Sequence, residues 1–459
     1  MSEHQGGGVA RRDFLKWTAG AATGVAAGLM ASAGLGAAPD PAAILNRNEE
    51  EGGSHTDMDD KRLGDETMEI TTRQHVRMLS EEVAEQLKYY HLHWRFVDAR
   101  CLMKNDDHGP RGIHPPIIPH APLERARVFT GTRDTGSFNH HSQIARFQGR
   151  YYLGWSNGIV DEEAAGQRIL IAASDDALDW GEPICVAGDT GSPLAHNCQA
   201  LHATEEAMYL VGMSEECHRD ASSVGMRRID PESVRMDIYR SVDGVTWERS
   251  QQFGSGLKWI FEAPRPTAEN RLMCVCTTLN SGRAVLLWQG MDICQEPEVV
   301  PIPEPEGVHL PAGEASWCQT DEGKIIVFWR DEGGSCRLYV NTSDDGGRTF
   351  SAPMISDIPD SMSRVHAGRL ADGRYYLCNN AFPTLLDRRH LMLLLSDDGL
   401  TFDSVRVLVD DPTSQRLKGL LKVDGYQYPC CLPEGDRLLV AYSINKEDIE
   451  CSVVDVGRI

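Results

Sequence analysis

Residues that can transfer protons or bind carboxylates recur near the ends of six strand-like runs after residue 127. They are His140, His141, His196, His202, Glu262, Arg265, Glu314, Arg330, Arg364, His366, Tyr426 and Tyr428. Histidine is a base with a pKa near neutrality, and arginine binds carboxylates through paired hydrogen bonds. Tyrosine becomes a nucleophile when a neighbouring base takes its proton. Polar residues at so many strand starts are hard to explain by core packing, so they predict a functional site assembled from several strands.

A phrase that recurs four times indicates which elements position these side chains. Ser-Asp-Asp-Gly-Gly-Arg-Thr-Phe occupies 343–350, with copies at 396–402 and 241–247 and a degenerate copy at 174–180. The Asp carboxylate can accept backbone N–H groups, and Gly tolerates positive φ, so each copy predicts a tight turn. Strand-like residues precede each copy and an aromatic residue follows, which is typical of a hairpin within one small sheet.

A second repeated unit, strand–turn–strand, gives the number of sheets. It occurs at 143–155 and 200–212, and further copies begin near Glu262, Glu314, His366 and Tyr426. Six units predict an all-β fold, a six-bladed β-propeller over 127–459, with seven blades as the alternative. The first strand of each blade would surround a central channel, and the ends of these strands would converge on one mouth.

The segment 76–126 is expected to be a short N-terminal extension with one helix. Ser80 is the predicted N-cap, Glu81 and Glu82 fall in the first turn, and the helix is expected to reach about His93.

Composition excludes some classes of partner and site. A formal net charge of −23 argues against nucleic acid as the main partner, although a local arginine cluster can still bind an anionic ligand. The 13 cysteines have no zinc-ribbon spacing and stand mostly in apolar strands, which favours buried free thiols. We therefore expect no cofactor and no metal, although neutral imidazole is a common metal ligand.

The N-terminus resembles a twin-arginine export signal. Arg11-Arg12-Asp13-Phe14-Leu15-Lys16 precedes an uncharged Ala/Gly-rich stretch, and small residues suited to signal peptidase follow. The resemblance implies a signal peptide over 1–38, the twin-arginine machinery as a partner, and a periplasmic or extracellular protein with no membrane insertion after signal removal. An uncleaved anchor is the alternative. A flexible acidic linker is expected over 39–75.

From about Arg127 to its C-terminus the chain resembles the sialidase superfamily, whose structural signature is the Asp box. The stretch 314–330 is similar to the strand pair that carries a glutamate and a carboxylate-binding arginine, and 425–432 is similar to the segment of the nucleophilic tyrosine. The resemblance implies Tyr428, or else Tyr426, as the nucleophile and Glu314 as the base that takes its proton. A neutral phenol suits an acidic sugar because a carboxylate nucleophile would be repelled.

The resemblance also implies substrate-binding residues and a general acid. Those expected to bind substrate are Arg330, Arg389 (or Arg388), Arg265, Arg364, His140, His196 and Tyr426. Asp161, in the acidic stretch 161–163, is the candidate general acid. The sequence departs from sialidases at 138–144, where His140 and His141 replace the arginine of an Arg-Ile-Pro phrase, so the identity of the acidic sugar stays open.

The His-His phrase, with Trp-Ser-Asn-Gly at 155–158, is also similar to propeller polysaccharide lyases and rhamnosidases that act on uronate-containing glycans. That resemblance implies His141 as a catalytic residue, with His120 from a neighbouring strand and His196 and Arg265 facing the same channel. Three hypotheses follow, each with a glycan or polysaccharide as partner. The first is an exported sialidase-like exo-glycosidase that hydrolyses terminal acidic sugars. The second is a lyase or rhamnosidase, and the third is a non-catalytic glycan-binding propeller.

Overall fold

A computed structural model describes residues 75–102, 118–219, 227–229, 231–253, 257–278, 282–303 and 313–459. The expected export signal at 1–38 and the expected linker up to residue 74 lie outside the described residues.

The fold is a six-bladed β-propeller, as predicted, and the first three blades follow one another along the chain. Blade 1 consists of β3 (Phe138–Phe147), β4 (Arg150–Gly158), β5 (Arg168–Ser174) and β6 (Ile184–Ala187). Blade 2 consists of β7 (Leu194–Ala203), β8 (Met208–Arg219), β10 (Arg235–Ser241) and β11 (Glu248–Phe253), and β9 (Arg227–Ile229) pairs with β8. Blade 3 consists of β12 (Leu257–Ile260) and β13 (Arg265–Pro266), which both pair with β14 (Leu272–Thr278), followed by β15 (Gly282–Leu287) and β16 (Glu298–Pro301).

The other three blades include two strands from the N-terminal part of the chain. Blade 4 consists of β17 (Ala315–Gln319), β18 (Ile325–Trp329), β19 (Arg337–Ser343) and β20 (Met354–Pro359), with β1 (His75–Val76) parallel to β20. Blade 5 consists of β21 (His366–Arg369), β22 (Tyr375–Asn379), β23 (Leu391–Ser396) and β24 (Ser404–Val409). Blade 6 consists of β25 (Tyr426–Glu434), β26 (Arg437–Ile444), β27 (Asp448–Asp455) and β2 (Leu123–Thr130). Among the described residues, two short 3₁₀ turns lie at Pro231–Ser233 and Val456–Arg458.

The ring is closed by a pairing that the sequence did not reveal. Strand β2 pairs antiparallel with β27 over Leu123–Thr130, so the outer strand of blade 6 comes from before blade 1. The sheet therefore begins four residues earlier than the expected start at Arg127. Hydrogen bonds between β2 and β27, more than 300 residues apart, thereby fix the segment that precedes blade 1 within blade 6.

The Asp boxes form hairpins within one sheet, as predicted, and each connects the third and fourth strands of its blade. In blade 2 the carboxylate of Asp243 accepts the backbone N–H groups of Val245 and Thr246 at 2.8 and 2.7 Å, and Ser241 Oγ accepts that of Gly244 at 2.8 Å. Gly244 has φ +73°, and in the degenerate copy Ala177 takes the same position with φ +68°. An alanine in the left-handed region is strained by roughly 1–2 kcal/mol, which the rest of the box must offset.

The N-terminal extension is part of the propeller core. Helix α1 (Glu81–Leu102) begins after Ser80, whose Oγ accepts the backbone N–H of Val83 at 3.2 Å, as the capping pattern predicted. It runs nine residues beyond the expected end at His93. Its buried residues Val83 and Leu87 pack with the hydrophobic side chains of blades 4 and 5. The hydrophobic core therefore continues across the expected domain boundary at residue 126.

The described cysteines are free thiols, and most of them are buried, as predicted. Among the residues that the structure describes, we find no helix long and apolar enough to span a membrane.

Candidate active site

Two bulged inner strands place an aromatic and an imidazole ring together at the centre of the propeller. Tyr428 on β25 and His141 on β3 both have φ +57°, and the register of each strand shifts at that point. Such bulges turn a side chain away from the normal alternation of a strand, and strained residues of this kind often serve function. The ring centroids of Tyr428 and His140 lie 3.9 Å apart, and those of Tyr428 and His141 lie 5.7 Å apart.

Four cationic side chains surround the ring of Tyr428. The distances from its centroid are 4.7 Å to Arg364 Cζ, 5.4 Å to Arg388 Cζ, 6.0 Å to Arg330 Cζ and 5.8 Å to Lys446 Nζ. Arg330 Nη1 also donates a hydrogen bond of 2.8 Å to the Tyr428 hydroxyl. We call these five residues, together with Glu314, the central cluster.

Glu314 links two of the arginines to the tyrosine. Its carboxylate pairs with Arg330 Nη1 at 2.5 Å and with Arg364 Nη2 at 3.3 Å. Burial opposes ionisation of Glu314, but Arg330 and Arg364 outweigh it, and a hydrogen bond with Tyr428 adds to them, so its pKa is lowered. Burial raises the pKa of Tyr428 well above its usual value, although Arg330 opposes this effect. The resting pair is therefore a carboxylate beside a protonated phenol, the arrangement required for general-base activation of the phenol.

Several N–H groups of the central cluster have no hydrogen-bond partner among the described residues. They belong to Nε and Nη1 of Arg364, Nε of Arg330 and Nε of Arg388. Arg364 and Arg388 are buried, with 2 % and 3 % of their surfaces exposed. Because a buried donor without an acceptor costs about 1–3 kcal/mol, these groups are suited to an anionic ligand.

A second group of side chains adjoins Tyr428. His140 is completely buried, and burial together with Lys446 lowers the pKa of its imidazole well below the usual value. His141 Nδ1 lies 3.1 Å from Ser156 Oγ, and its Nε2 lies 3.8 Å from Glu162 Oε1. The other Glu162 oxygen is paired with Lys446 Nζ at 2.6 Å. This histidine–carboxylate pair can hold or deliver a proton beside the tyrosine.

The structure brings most of the predicted site residues together. Those that meet at the centre are Tyr428, Glu314, Arg330, Arg364, His140 and His141. In one case the side chain at the centre is the neighbour of the predicted one. Glu162 replaces Asp161, whose Oδ1 accepts the backbone N–H of Leu420 at 2.8 Å.

Of the two arginines that precede β23, the structure places the alternative, Arg388, at the centre. Arg389 pairs with Asp387 at 2.7 Å, whereas Arg388 lies over Tyr428. Both pairs lie in segments between two strands, so the conformation of each connecting segment decides which neighbour faces the centre.

Tyr426 lies outside the central cluster. Its hydroxyl donates to the backbone oxygen of Asp411 at 3.1 Å, and Arg125 Cζ lies 5.8 Å from its ring centroid. It lines a cavity of about 340 Å³ with Arg125, Arg127, Asp411, Arg416 and Asp448, among others. We call these residues, with Glu447 and Glu450, the outer cluster.

The remaining predicted residues lie elsewhere in the ring. Arg265 donates to Glu262 at 3.0 Å and to the backbone oxygen of Trp317 at 2.6 Å, which ties blade 3 to blade 4. His196 lies on β7, and burial lowers its pKa. His120 forms a bridge with Val407 on the outer strand of blade 5 and contacts Asp410 at 2.8 Å. The expectation that His120 and His141 share one site is therefore wrong.

Lys446 was missed by sequence reasoning. It lies in the turn between β26 and β27, where Asn445 and Lys446 have positive φ. The signal was available, because β26 runs antiparallel to β25, so its end must lie beside the start of β25.

The profile of the BNR repeat-like domain family matches residues 153–440. No curated protein matches the sequence. Several solved structures have a similar fold. A protein of unknown function from Dyadobacter fermentans is 16% identical to this chain and superimposes with a TM-score of 0.57. The aligned region covers 74% of this chain and 100% of that protein.

Two named enzymes have similar folds. The NanB sialidase from Streptococcus pneumoniae is 12% identical, with coverage of 74% of this chain and 71% of its own and a TM-score of 0.54. The leech intramolecular trans-sialidase is also 12% identical, with coverage of 74% and 72% and a TM-score of 0.54. At these identities the similarity supports the fold alone.

Proposed function

The chain belongs to the BNR repeat-like domain family, and we propose that it is a glycoside hydrolase that removes terminal acidic sugars from glycans. The observation that carries the proposal is the pairing of Tyr428 with Glu314 among three arginines, some of whose buried N–H groups have no acceptor among the described residues. The cluster thus offers a neutral nucleophile, a base and a binding site for an anion, which are the parts that an acidic sugar requires.

In this proposal the arginines orient the carboxylate of the sugar, and the Tyr428 oxygen attacks the anomeric carbon. Glu314 takes the phenolic proton as the new bond forms, and the cations around the ring stabilise the developing phenolate. The bond to the leaving oxygen breaks, and a proton reaches that oxygen from the Glu162–His141 pair. Water then hydrolyses the tyrosyl intermediate and restores the phenol.

We also propose that the protein is exported. The Arg11-Arg12 phrase and the uncharged stretch after it support export by the twin-arginine machinery to the periplasm or beyond. An exported enzyme of this type would meet extracellular polysaccharides. Fold similarity to a sialidase and a trans-sialidase supports a sugar substrate, whereas His140 and His141 in place of an arginine leave the acidic sugar open.

The first experiment incubates the protein with sialosides and, separately, with uronate-rich polysaccharides, and measures released sugar and ultraviolet absorbance. We expect released sugar without new absorbance. Glu314→Gln should lower the rate by roughly 10²–10⁴-fold, because it removes the base. Glu434→Gln, the same chemical change at the far end of β25, is the control and should leave the rate unchanged. Equal rates for wild type and Glu314→Gln would contradict the proposal.

A second candidate, a polysaccharide lyase, is favoured by one specific observation. Both His140 and His141 lie against Tyr428, so a base, a proton donor and arginines that can neutralise a uronate meet at one point. Elimination would create a conjugated double bond that absorbs in the ultraviolet. Rising absorbance on the uronate substrates, abolished in His141→Ala, would replace the hydrolase by this reaction.

A further inference from the structure

We infer that His140, His141 and Glu162 form a binding site for a divalent transition-metal ion such as Zn²⁺. One nitrogen of each imidazole and one carboxylate oxygen lie within 4.8 Å of one another. The inference departs from the expectation of no metal. It competes with the proton-donor role proposed above for Glu162 and His141, because an atom that binds a metal ion cannot also carry the proton.

The geometry of the three donors fits one ion after small rotations. Imidazole nitrogens and carboxylate oxygens bind zinc at about 2.0–2.2 Å, so two ligands of one ion lie roughly 3–4 Å apart. His141 Nε2 and Glu162 Oε1 already lie 3.8 Å apart. Two imidazoles and a carboxylate are a common ligand set for transition metals, and they leave coordination positions open to water or to a substrate oxygen.

His140 provides an independent observation that points to a ligand. It is 0 % exposed, and neither ring nitrogen has a hydrogen-bond partner among the described residues. A buried polar group without a partner costs about 1–3 kcal/mol of stability, so buried polar groups in proteins usually have a hydrogen-bond partner or a ligand. A metal ion would use one of these nitrogens, and a neutral imidazole is the form that binds metals.

His141 is held in the orientation that a ligand requires. Its Nδ1 lies 3.1 Å from Ser156 Oγ, and Ser156 Oγ also accepts the backbone N–H of Cys198 at 2.9 Å. A hydrogen bond at one imidazole nitrogen that directs the other toward the metal is the usual outer-sphere arrangement of histidine ligands. The bulge at His141 points its Nε2 toward Glu162.

The positive charge of Lys446 lies beside this site and opposes the binding of a metal cation. Its ammonium pairs with Glu162 Oε2 at 2.6 Å, and it also lies near the Tyr428 ring. A metal ion and Lys446 would therefore compete for the Glu162 carboxylate. Removal of the lysine charge should therefore strengthen metal binding.

The test uses the full-length protein after chelator treatment, with no sugar present. Zn²⁺ is titrated by calorimetry, and Co²⁺ is added separately to record its visible absorption. We expect one Zn²⁺ per chain and a Co²⁺ spectrum typical of mixed nitrogen and oxygen ligands. His141→Gln and Glu162→Gln should each weaken Zn²⁺ binding by about 100-fold or more, since even outer-sphere changes cost 10–100-fold. Lys446→Met should tighten it.

His196→Ala, a half-buried histidine on a different blade, is the control for adventitious binding, and thermal unfolding of each variant checks the fold. Absence of bound Zn²⁺, or equal affinity in wild type and the His141→Gln/Glu162→Gln double variant, would overturn the inference. Unchanged affinity in Lys446→Met would also overturn it, because Glu162 would then not be a ligand. Because no sugar is used, failure here is separate from failure of the proposed hydrolase.

Discussion

The central and outer clusters contain three arginines and one tyrosine each, yet they have opposite chemical character. In the outer cluster each arginine is paired with two carboxylates: Arg125 with Asp411 and Glu450 at 2.5 and 2.8 Å, and Arg127 with Asp448 and Glu450. Arg416 pairs with Glu447 and Asp448. In the central cluster Arg330 also has two carboxylates, Glu314 and Glu332. Arg364 has only a share of Glu314, however, and Arg388 donates to the neutral oxygens of Gln427 and Met362.

Under the proposed function, this difference means that the number of arginines alone does not make an anion site. What matters is whether buried N–H groups are left without acceptors, and Arg364 has two such nitrogens among the described residues. The tyrosines differ for a local reason. Tyr426 and Tyr428 are two residues apart on β25 and would share a face of a regular strand, but the bulge at Tyr428 sends its ring to the centre. The predictions below test this contrast.

The largest effect is expected from the two tyrosines. Tyr428→Phe removes the proposed nucleophile and should lower kcat on the acidic substrate by a factor on the order of 10³ or more. Tyr426→Phe removes only the hydrogen bond to the Asp411 backbone and should lower kcat by no more than a few-fold, with about 1 kcal/mol lost in unfolding free energy. Steady-state kinetics and urea unfolding of both variants measure this contrast. Equal losses of kcat would mean that the two clusters do not differ in function.

A smaller effect is expected from one arginine of each cluster. Arg364→Met should weaken binding of the acidic sugar by about 10–100-fold, the value of one or two charge-assisted hydrogen bonds. Arg125→Met should leave that affinity unchanged but cost about 1 kcal/mol of stability, because Asp411 and Glu450 lose a partner at a partly exposed site. Competition binding measures the first effect and denaturant unfolding the second. Weaker sugar binding in Arg125→Met would assign the outer cluster to the substrate.

The smallest expected effect concerns Asp360, a buried acid near Arg330 and Arg388. It accepts hydrogen bonds from the Ser363 backbone at 3.2 Å and from Asn379, and burial, only partly opposed by these groups, raises its pKa to about 7. The folded protein thus holds a proton that the unfolded chain releases near the ordinary aspartate pKa of 3.8. Stability from this proton is full below that value and is lost as the pH rises through about 7.

Asp360→Asn should remove that dependence. We expect the Tm of the variant to match wild type near pH 4, since amide and protonated carboxyl are similar in shape and charge, and to exceed it near pH 8, where wild type has lost this contribution. Thermal unfolding at several pH values between 4 and 8 measures the difference. A variant that falls further below wild type as the pH rises would show that the ionised carboxylate stabilises the fold.

The sequence by itself determined the propeller and the residue types of its centre. An Asp box is local: Ser241, Asp243 and the N–H groups they bind lie within a few residues, so the turn is encoded wherever the phrase occurs. Strand alternation and the Ser80 cap are local as well. Local patterns at the strand starts therefore sufficed to place Tyr428, Glu314, Arg330, Arg364, His140 and His141 near one mouth.

Only the tertiary structure decided which side chain of each neighbouring pair faces the centre. Glu162 rather than Asp161 and Arg388 rather than Arg389 lie at the centre, because the conformation of the connecting segments sets the direction of these side chains. The pairing of β2 with β27 joins segments more than 300 residues apart, and no local pattern encodes such a contact. The distribution of acids between the two arginine clusters is likewise a property of packing, and that distribution leaves one cluster neutralised and the other suited to an anion.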